Sequence, residues 1–251
     1  LRGQSLADFA EAGIIFLSLP NGKVVESVIS GPDCLYEHVS AGTIIVDLST
    51  IEYDRTLVVA EKLRQKDITF IDAPVSGMQA RAEQGTLTIM CGGNQSNIEK
   101  LDPYFKTIAT KVLHMGPSGS GQLTKLINQL LFDINAAALA EILPIASKLG
   151  LAPEKVEEVV NSGTGRSYAS EFFIPHILDN TFDQGYPMEH AYKDLICGAE
   201  ISARFRFPTP VLAAATTTYQ QALLEGYGTL DKGAMIKVFE KLIGVQFRKQ
   251  E

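Results

Sequence analysis

The chain has 251 residues, 45% of them hydrophobic and 20% charged, which is enough for one large or two ordinary domains with buried cores and argues against disorder. A formal net charge of −7 argues against nucleic acid or an anionic membrane as partner, while a small anionic substrate needs only local positive charge. Cys34, Cys91 and Cys197 are scattered without a C-x-x-C, and the four histidines show no metal-ligand spacing, so no disulfide framework and no metal site are expected, and a reducing, cytoplasmic compartment is expected.

The opening LRGQSLADFAEAG does not read as a signal peptide, and no apolar run approaches the ~20 residues of a membrane helix. Residues 14–19 (IIFLSL) form a compact apolar run stopped by Pro20-Asn21-Gly22, a buried strand entering a turn. A helical stretch follows, with Val24, Val25 and Val28 at helical spacing. Residues 43–48 (TIIVDL) are the second strand, and Ser49-Thr50 can cap a helix running to about Lys66. Residues 68–72 and 86–91 are the third and fourth strands, the latter ended by Gly92-Gly93. A helix over 95–108 and a short strand over 111–115 complete a pattern of alternating strands and helices, that of an open, mostly parallel α/β sheet.

From Gly119 to Leu149 helical patterning runs with few breakers. A helix of ~30 residues would be ~45 Å long, and Pro144 inside it should kink it or end its first part. Downstream, helices are predicted over 153–162, 168–178, 188–204, 208–225 and 230–242, with no convincing strand. The reading is an α/β domain over 1–117 and an all-α domain over 118–251 that begins with a long interdomain helix.

The richest segment is Gly119-Ser120-Gly121-Gln122-Leu123-Thr124-Lys125-Leu126-Ile127-Asn128. Two glycines free the backbone to approach a ligand, and a helix then starts. Lys125 and Asn128, three apart, project from one helix face. Apolar surroundings and a positive helix end both disfavour the ammonium, which suits acid/base catalysis; the bland alternative is a solvent-facing lysine on an amphipathic helix. Asp72-Ala73-Pro74-Val75-Ser76-Gly77-Met78, with Gly85-Thr86-Leu87 after it, sits just past a strand end, where open α/β sheets bind ligands. Ser76 and the backbone N–H groups of Ser76-Gly77 can hold a carboxylate, or the segment is simply a tight turn. Leu19-Pro20-Asn21 and Asp47-Leu48-Ser49-Thr50 lie at strand ends too, and taken singly read as turn and cap chemistry. Tyr192-Lys193-Asp194 alone reads as a surface charge pair.

Together, D-A-P-V-S-G followed by G-T-L and then G-x-G-Q-x-x-K-x-x-N resembles the β-hydroxyacid dehydrogenase family, which includes 3-hydroxyisobutyrate dehydrogenase, tartronate semialdehyde reductase and, more distantly, 6-phosphogluconate dehydrogenase. The resemblance covers almost the whole chain and keeps the motif order. It implies a Rossmann-like domain followed by an all-α domain, NAD or NADP as cofactor, and a small β-hydroxy acid or its semialdehyde as substrate. It implies further that Lys125 is the general acid/base and that Asn128 contacts substrate. The loop Ser76, Gly77 and Met78 would hold the substrate carboxylate, and Leu19, Pro20, Thr50 and Lys193 would contact cofactor. A dimer or tetramer is also implied, and apolar runs such as residues 211–215 fit self-association.

Three departures stand out. Met78 occupies a position where the family usually has a second glycine, and Arg81 replaces a glycine expected before Ala82. The family's N-terminal strand and G-x-G-x-x-G turn, which carry the pyrophosphate site and the choice between NAD and NADP, should precede Leu1, leaving the Rossmann-like sheet N-terminally incomplete with exposed strand edges. Other readings are a non-catalytic binding or scaffold protein, an imine reductase, or a 6-phosphogluconate-type enzyme. The lysine at 125 counts against the imine reductase, and the lack of a basic cluster against the sugar phosphate.

Overall fold

A computed structural model describes residues 5–249. The chain forms two compact units, Leu1–Lys125 and Leu126–Glu251, with the division falling inside a helix.

The first unit alternates strands and helices: β1 (Ile14–Leu17), α1 (Gly22–Ser30), α2 (Leu35–His38), β2 (Ile44–Asp47), α3 (Tyr53–Arg64), β3 (Thr69–Asp72), β4 (Val75–Ser76), α4 (Met78–Glu83), β5 (Leu87–Gly92), α5 (Gln95–Lys100), α6 (Asp102–Phe105) and β6 (Ala109–Gly116). β1, β2 and β3 are parallel neighbours. All four residues of β2 are buried, because both faces of the sheet are covered. Ile15, Ile45, Val59 and Phe70 belong to one core, and Val46, Ile71, Ile89 and Phe105 to another. α1 begins where the Asn21 side chain accepts the Val24 N–H at 3.0 Å, an N-cap, and buries Val25 and Ile29.

The far half of the sheet is not simply parallel. β3 and β4 run antiparallel to β5 in one continuous register, Asp72 opposite Gly92, Val75 opposite Ile89 and Ser76 opposite Thr88. β6 then pairs parallel to the other edge of β5. Residues 72–92 therefore form a hairpin whose connection, 77–86, carries α4. Sequence periodicity gave no sign of it, because a two-residue strand and a six-residue helix are too short to show a period. For the same reason the single helix expected over 95–108 is two short ones, α5 and α6.

α7 (Ser120–Lys148) runs unbroken through Pro144, so the proline does not end it. Pro144 is buried, and packing of Ala140 and Leu143 into the core of the second unit holds the helix across the hydrogen bond that proline cannot make. α7 is also long and apolar enough, by length and composition, to cross a membrane, with 39% of its most apolar window buried. Ala136, Ala137, Ala140 and Leu143 are all core residues, the pattern of a core helix.

The second unit continues with α8 (Pro153–Ser162), α9 (Tyr168–Leu178), α10 (Met188–Phe205), α11 (Pro210–Leu224), a 3-10 turn at Lys232–Met235 and α12 (Ile236–Ile243). Its only extended pairing among the described residues is an isolated bridge between Pro187 and Asp231. The core holds a charge pair: Asp133 of α7 binds Lys232, accepts the Tyr219 hydroxyl at 3.2 Å, and Lys232 Nζ lies 4.3 Å from the Phe132 ring centre. Burial pushes the Asp133 carboxyl up to about 6, against the pull of Lys232. Such a pair specifies an arrangement more than it stabilises one, since two charges have left water.

Candidate active site

The C-terminal ends of β1, β2 and β3 and the start of α7 are tied together by polar groups that the sequence motifs contain. After β1, the Leu19 N–H donates to Ser49 Oγ at 2.8 Å. After β2, the Ser49 N–H donates to Asp47 Oδ1 at 3.0 Å. Ser49 was expected to cap the next helix; α3 instead starts after Glu52 without a side-chain cap, because the serine hydroxyl is engaged by the neighbouring strand end. Thr50 is half-buried beside it, and its hydroxyl has no hydrogen-bond partner among the described residues.

At the end of β3, Asp72 is completely buried and caps α7. Its Oδ1 accepts the Gly119 N–H at 2.7 Å and its Oδ2 the Gln122 N–H at 3.0 Å. A carboxylate there satisfies the orphan donors of the first helical turn and complements its dipole. Burial raises the Asp72 carboxyl above its ordinary range, and the backbone N–H groups of Gly119, Gln122 and Gly121 pull it back. The Gln122 side chain completes the clamp: Nε2 donates to the Ser49 carbonyl at 2.7 Å, and Oε1 accepts the Ile51 N–H at 3.1 Å.

This explains the G-x-G-Q spacing. Gly119 has φ +90°, a region where side chains are strained. A Cβ on Gly121 would lie 2.3 Å from the Met90 carbonyl oxygen and 2.8 Å from that of Asp72, so only glycine lets the helix approach the sheet this closely. One turn on from Gln122, Lys125 is half-buried. Asn128 follows on the same helix, exposed, with Nδ2 3.4 Å from Gln129 Oε1. Lys193 is half-buried on α10 in the second unit, next to buried Asp194.

The hairpin tip holds the other predicted residues. Ser76 ends β4, half-buried, with no partner for its hydroxyl among the described residues. Gly77 has φ +145° and Met78 φ +57°, so the non-glycine residue that departs from the family pattern stands in the left-handed region that a glycine would occupy without strain.

The first unit thus brings together Leu19, Pro20, Thr50 and the start of α7, through Ser49, Asp47, Asp72 and Gln122. Those four stand inside the motifs read from sequence, but none was assigned a part in the site. Their signal was a polar residue fixed at each strand end and an uncharged polar residue inside an apolar helix start, which composition alone cannot separate from ordinary turn chemistry. The Cys91 thiol, pushed up to about 12 by burial, keeps its proton and is no nucleophile. Asp33, Glu37 and His38 bring potential ligand atoms within 4.8 Å of one another, a surface grouping that the scattered histidines did not foreshadow; His38 there hydrogen-bonds Asp33 at 2.6 Å.

Comparison with known proteins adds the following. The chain matches the family of the NAD-binding domain of 6-phosphogluconate dehydrogenase over residues 3–116. It matches the NAD-binding region of NADP-dependent 3-hydroxyisobutyrate dehydrogenase over 119–239. It is 39% identical over 237 residues to a 2-(hydroxymethyl)glutarate dehydrogenase of Eubacterium barkeri, covering 94% of this chain and 79% of that protein. It is 31% identical over 235 residues to an L-threonate dehydrogenase of Escherichia coli, covering 93% and 78%. The crystal structure of a 3-hydroxyisobutyrate dehydrogenase from Salmonella typhimurium superposes with a TM-score of 0.84 at 28% identity, over 94% of this chain and 82% of that one.

Proposed function

Because the chain belongs to the β-hydroxyacid dehydrogenase family, we propose that Lys125 is the proton-handling residue of an NAD(P)-dependent oxidoreductase acting on small β-hydroxy acids or their semialdehydes. The carrying observation is the clamp of Asp72 and Gln122 on the first turn of α7, which fixes that turn at the strand ends one turn before Lys125.

The residues present fit a nicotinamide. Thr50 offers a half-buried hydroxyl without a protein partner among the described residues, and Leu19 and Pro20 offer backbone at the adjacent strand end. NAD or NADP, when bound, accepts a hydride in oxidation and returns it in reduction. Leu19, Pro20, Thr50 and Lys193 bind and orient that cofactor. Ser76 and the Gly77 N–H hold the substrate carboxylate, with Met78 bounding it. Lys125 Nζ takes the proton of the substrate hydroxyl in oxidation and gives it to the carbonyl oxygen in reduction, and Asn128 hydrogen-bonds the same oxygen.

Residues 1–117 act as the dinucleotide-binding domain and 118–251 as the all-α domain opened by α7. The protein works as a homo-oligomer in the cytoplasm; exposed Ile142, Ile145, Leu149 and Val211 support the first statement and three free thiols the second. A non-catalytic role and an imine reductase activity are not favoured.

General acid/base catalysis is worth roughly 10²–10⁴-fold, so Lys125→Ala is expected to lower kcat/KM by about that factor while NADH fluorescence titration still reports cofactor binding. Wild-type turnover in this variant would remove Lys125 from the mechanism.

A further inference from the structure

The hairpin that carries Ser76 and Gly77 also carries a cation. Arg81 lies one turn into α4, four residues after Gly77, and the two are in contact. A Cβ placed on Gly77 would meet Arg81 Cβ at 2.8 Å and Arg81 Cδ at 3.1 Å. The stem of Arg81 therefore lies against the glycine of the carboxylate loop, and its guanidinium is carried only two bonds beyond that contact.

This guanidinium is unengaged among the described residues. Arg55, Arg64, Arg166 and Arg248 each pair with a glutamate. Arg81 is exposed, and its side chain has no ion pair or hydrogen bond among the described residues; its backbone carbonyl accepts the Thr86 N–H at 2.8 Å and the Thr86 hydroxyl at 3.4 Å. The carboxylate nearest in sequence, Glu83, accepts from Gln79 Nε2 at 2.7 Å. Next to this cation stands Met78, a 39% exposed side chain on a left-handed backbone. Strain kept at a binding loop points to a role for the side chain.

We propose that Arg81 is a specificity-determining residue that binds a second carboxylate on the substrate, so that the preferred substrates are β-hydroxy acids with two carboxylates. This rests on the reading that Ser76 and Gly77 hold the first carboxylate. The planar guanidinium takes a carboxylate in a bidentate pair, and on a chain of net charge −7 such local positive charge is what a dianion requires. The Met78 side chain, three residues before Arg81 in the same hairpin connection, would contact the carbons between the two carboxylates.

The test uses three substrates that share one reacting end: 3-hydroxyisobutyrate, 2-(hydroxymethyl)pentanoate and 2-(hydroxymethyl)glutarate. The second carries a neutral propyl group and the third a carboxyethyl group of matching length, so size and charge separate. kcat/KM is measured for the wild type, Arg81→Met and Arg81→Lys with NAD and with NADP. Methionine keeps an apolar stem against Gly77 and removes the charge. The wild type is expected to favour the dicarboxylate at least about tenfold over the neutral analogue. Arg81→Met is expected to lower the dicarboxylate value by about 10- to 100-fold and to alter the neutral analogue by less than about threefold, with Arg81→Lys in between. Equal loss on both substrates, no loss on either, or a wild-type preference for the neutral analogue would overturn the proposal while leaving the dehydrogenase reading standing. Turnover of none of the three would overturn both.

Discussion

Asp47 and Asp72 are direct neighbours across β2 and β3, both fully buried, and each is accommodated differently. Asp72 spends both oxygens on the N–H groups of α7. Asp47 uses Oδ1 for the Ser49 N–H, while Oδ2 is buried without a hydrogen-bond partner among the described residues. Burial pushes Asp47 from 3.8 up to about 6, opposed by hydrogen bonds from Ser49 and assisted by the charge of Asp72. The folded chain thus holds a proton that the unfolded chain has released between about pH 4 and pH 6. Stability contributed by this group is therefore present at low pH, is lost as pH rises through that window and is flat above it. The shift corresponds to about 3 kcal/mol. Asp47→Asn removes the titration. Its stability relative to wild type, from urea unfolding at pH 4, 5, 6 and 7, is expected to rise with pH by up to that amount. Parallel pH curves for the two proteins would contradict the buried, raised carboxyl.

At the scale of elements, α7 matters most because its first turn is fixed from three directions: the Asp72 cap, the Gln122 bridge and the close approach of Gly121 to Met90. A methyl at 121 would meet the backbone oxygens of Met90 and Asp72 and the Asp72 carboxylate that caps the helix. Gly121→Ala is expected to lower stability by about 1–3 kcal/mol through overpacking, and to lower kcat more than tenfold by moving the turn that precedes Lys125. Thermal unfolding together with steady-state kinetics checks both. A variant that folds and turns over like wild type would show that the helix start tolerates displacement. Further along, Asp133 and Lys232 pin the same helix inside the second core, so α7 carries polar anchors in both of its halves.

At the scale of the whole molecule, each unit has cores of its own, yet large apolar side chains remain exposed on the second: Ile142 at 58%, Leu149 at 73% and Leu224 at 89%. Apolar surface of this kind marks interaction sites on soluble proteins, and identical chains meet most often in closed symmetric assemblies. Sedimentation velocity is expected to give a dimer or tetramer at micromolar concentration, and Leu149→Lys with Ile142→Lys to shift it toward monomer. A wild-type monomer across the concentration range would rule out the oligomer.

The sequence by itself determined the class of fold, the place of the strands and long helices, and the motif that carries Lys125, because apolar periodicity and glycine spacing are local consequences of burial and backbone geometry. It also marked Met78 and Arg81 as unusual. Only the tertiary structure decided that β4 and β5 turn antiparallel, that Ser49 serves the neighbouring strand end, that Pro144 leaves α7 intact, and that Asp72 and Gln122 hold the helix start. Each of these is a contact between residues far apart in the chain, or a packing force that outweighs a local preference, and neither leaves a period in the sequence. Arg81 belongs to both accounts: its identity was legible at once, but only folding laid its side chain against Gly77 and left its charge unpaired among the described residues.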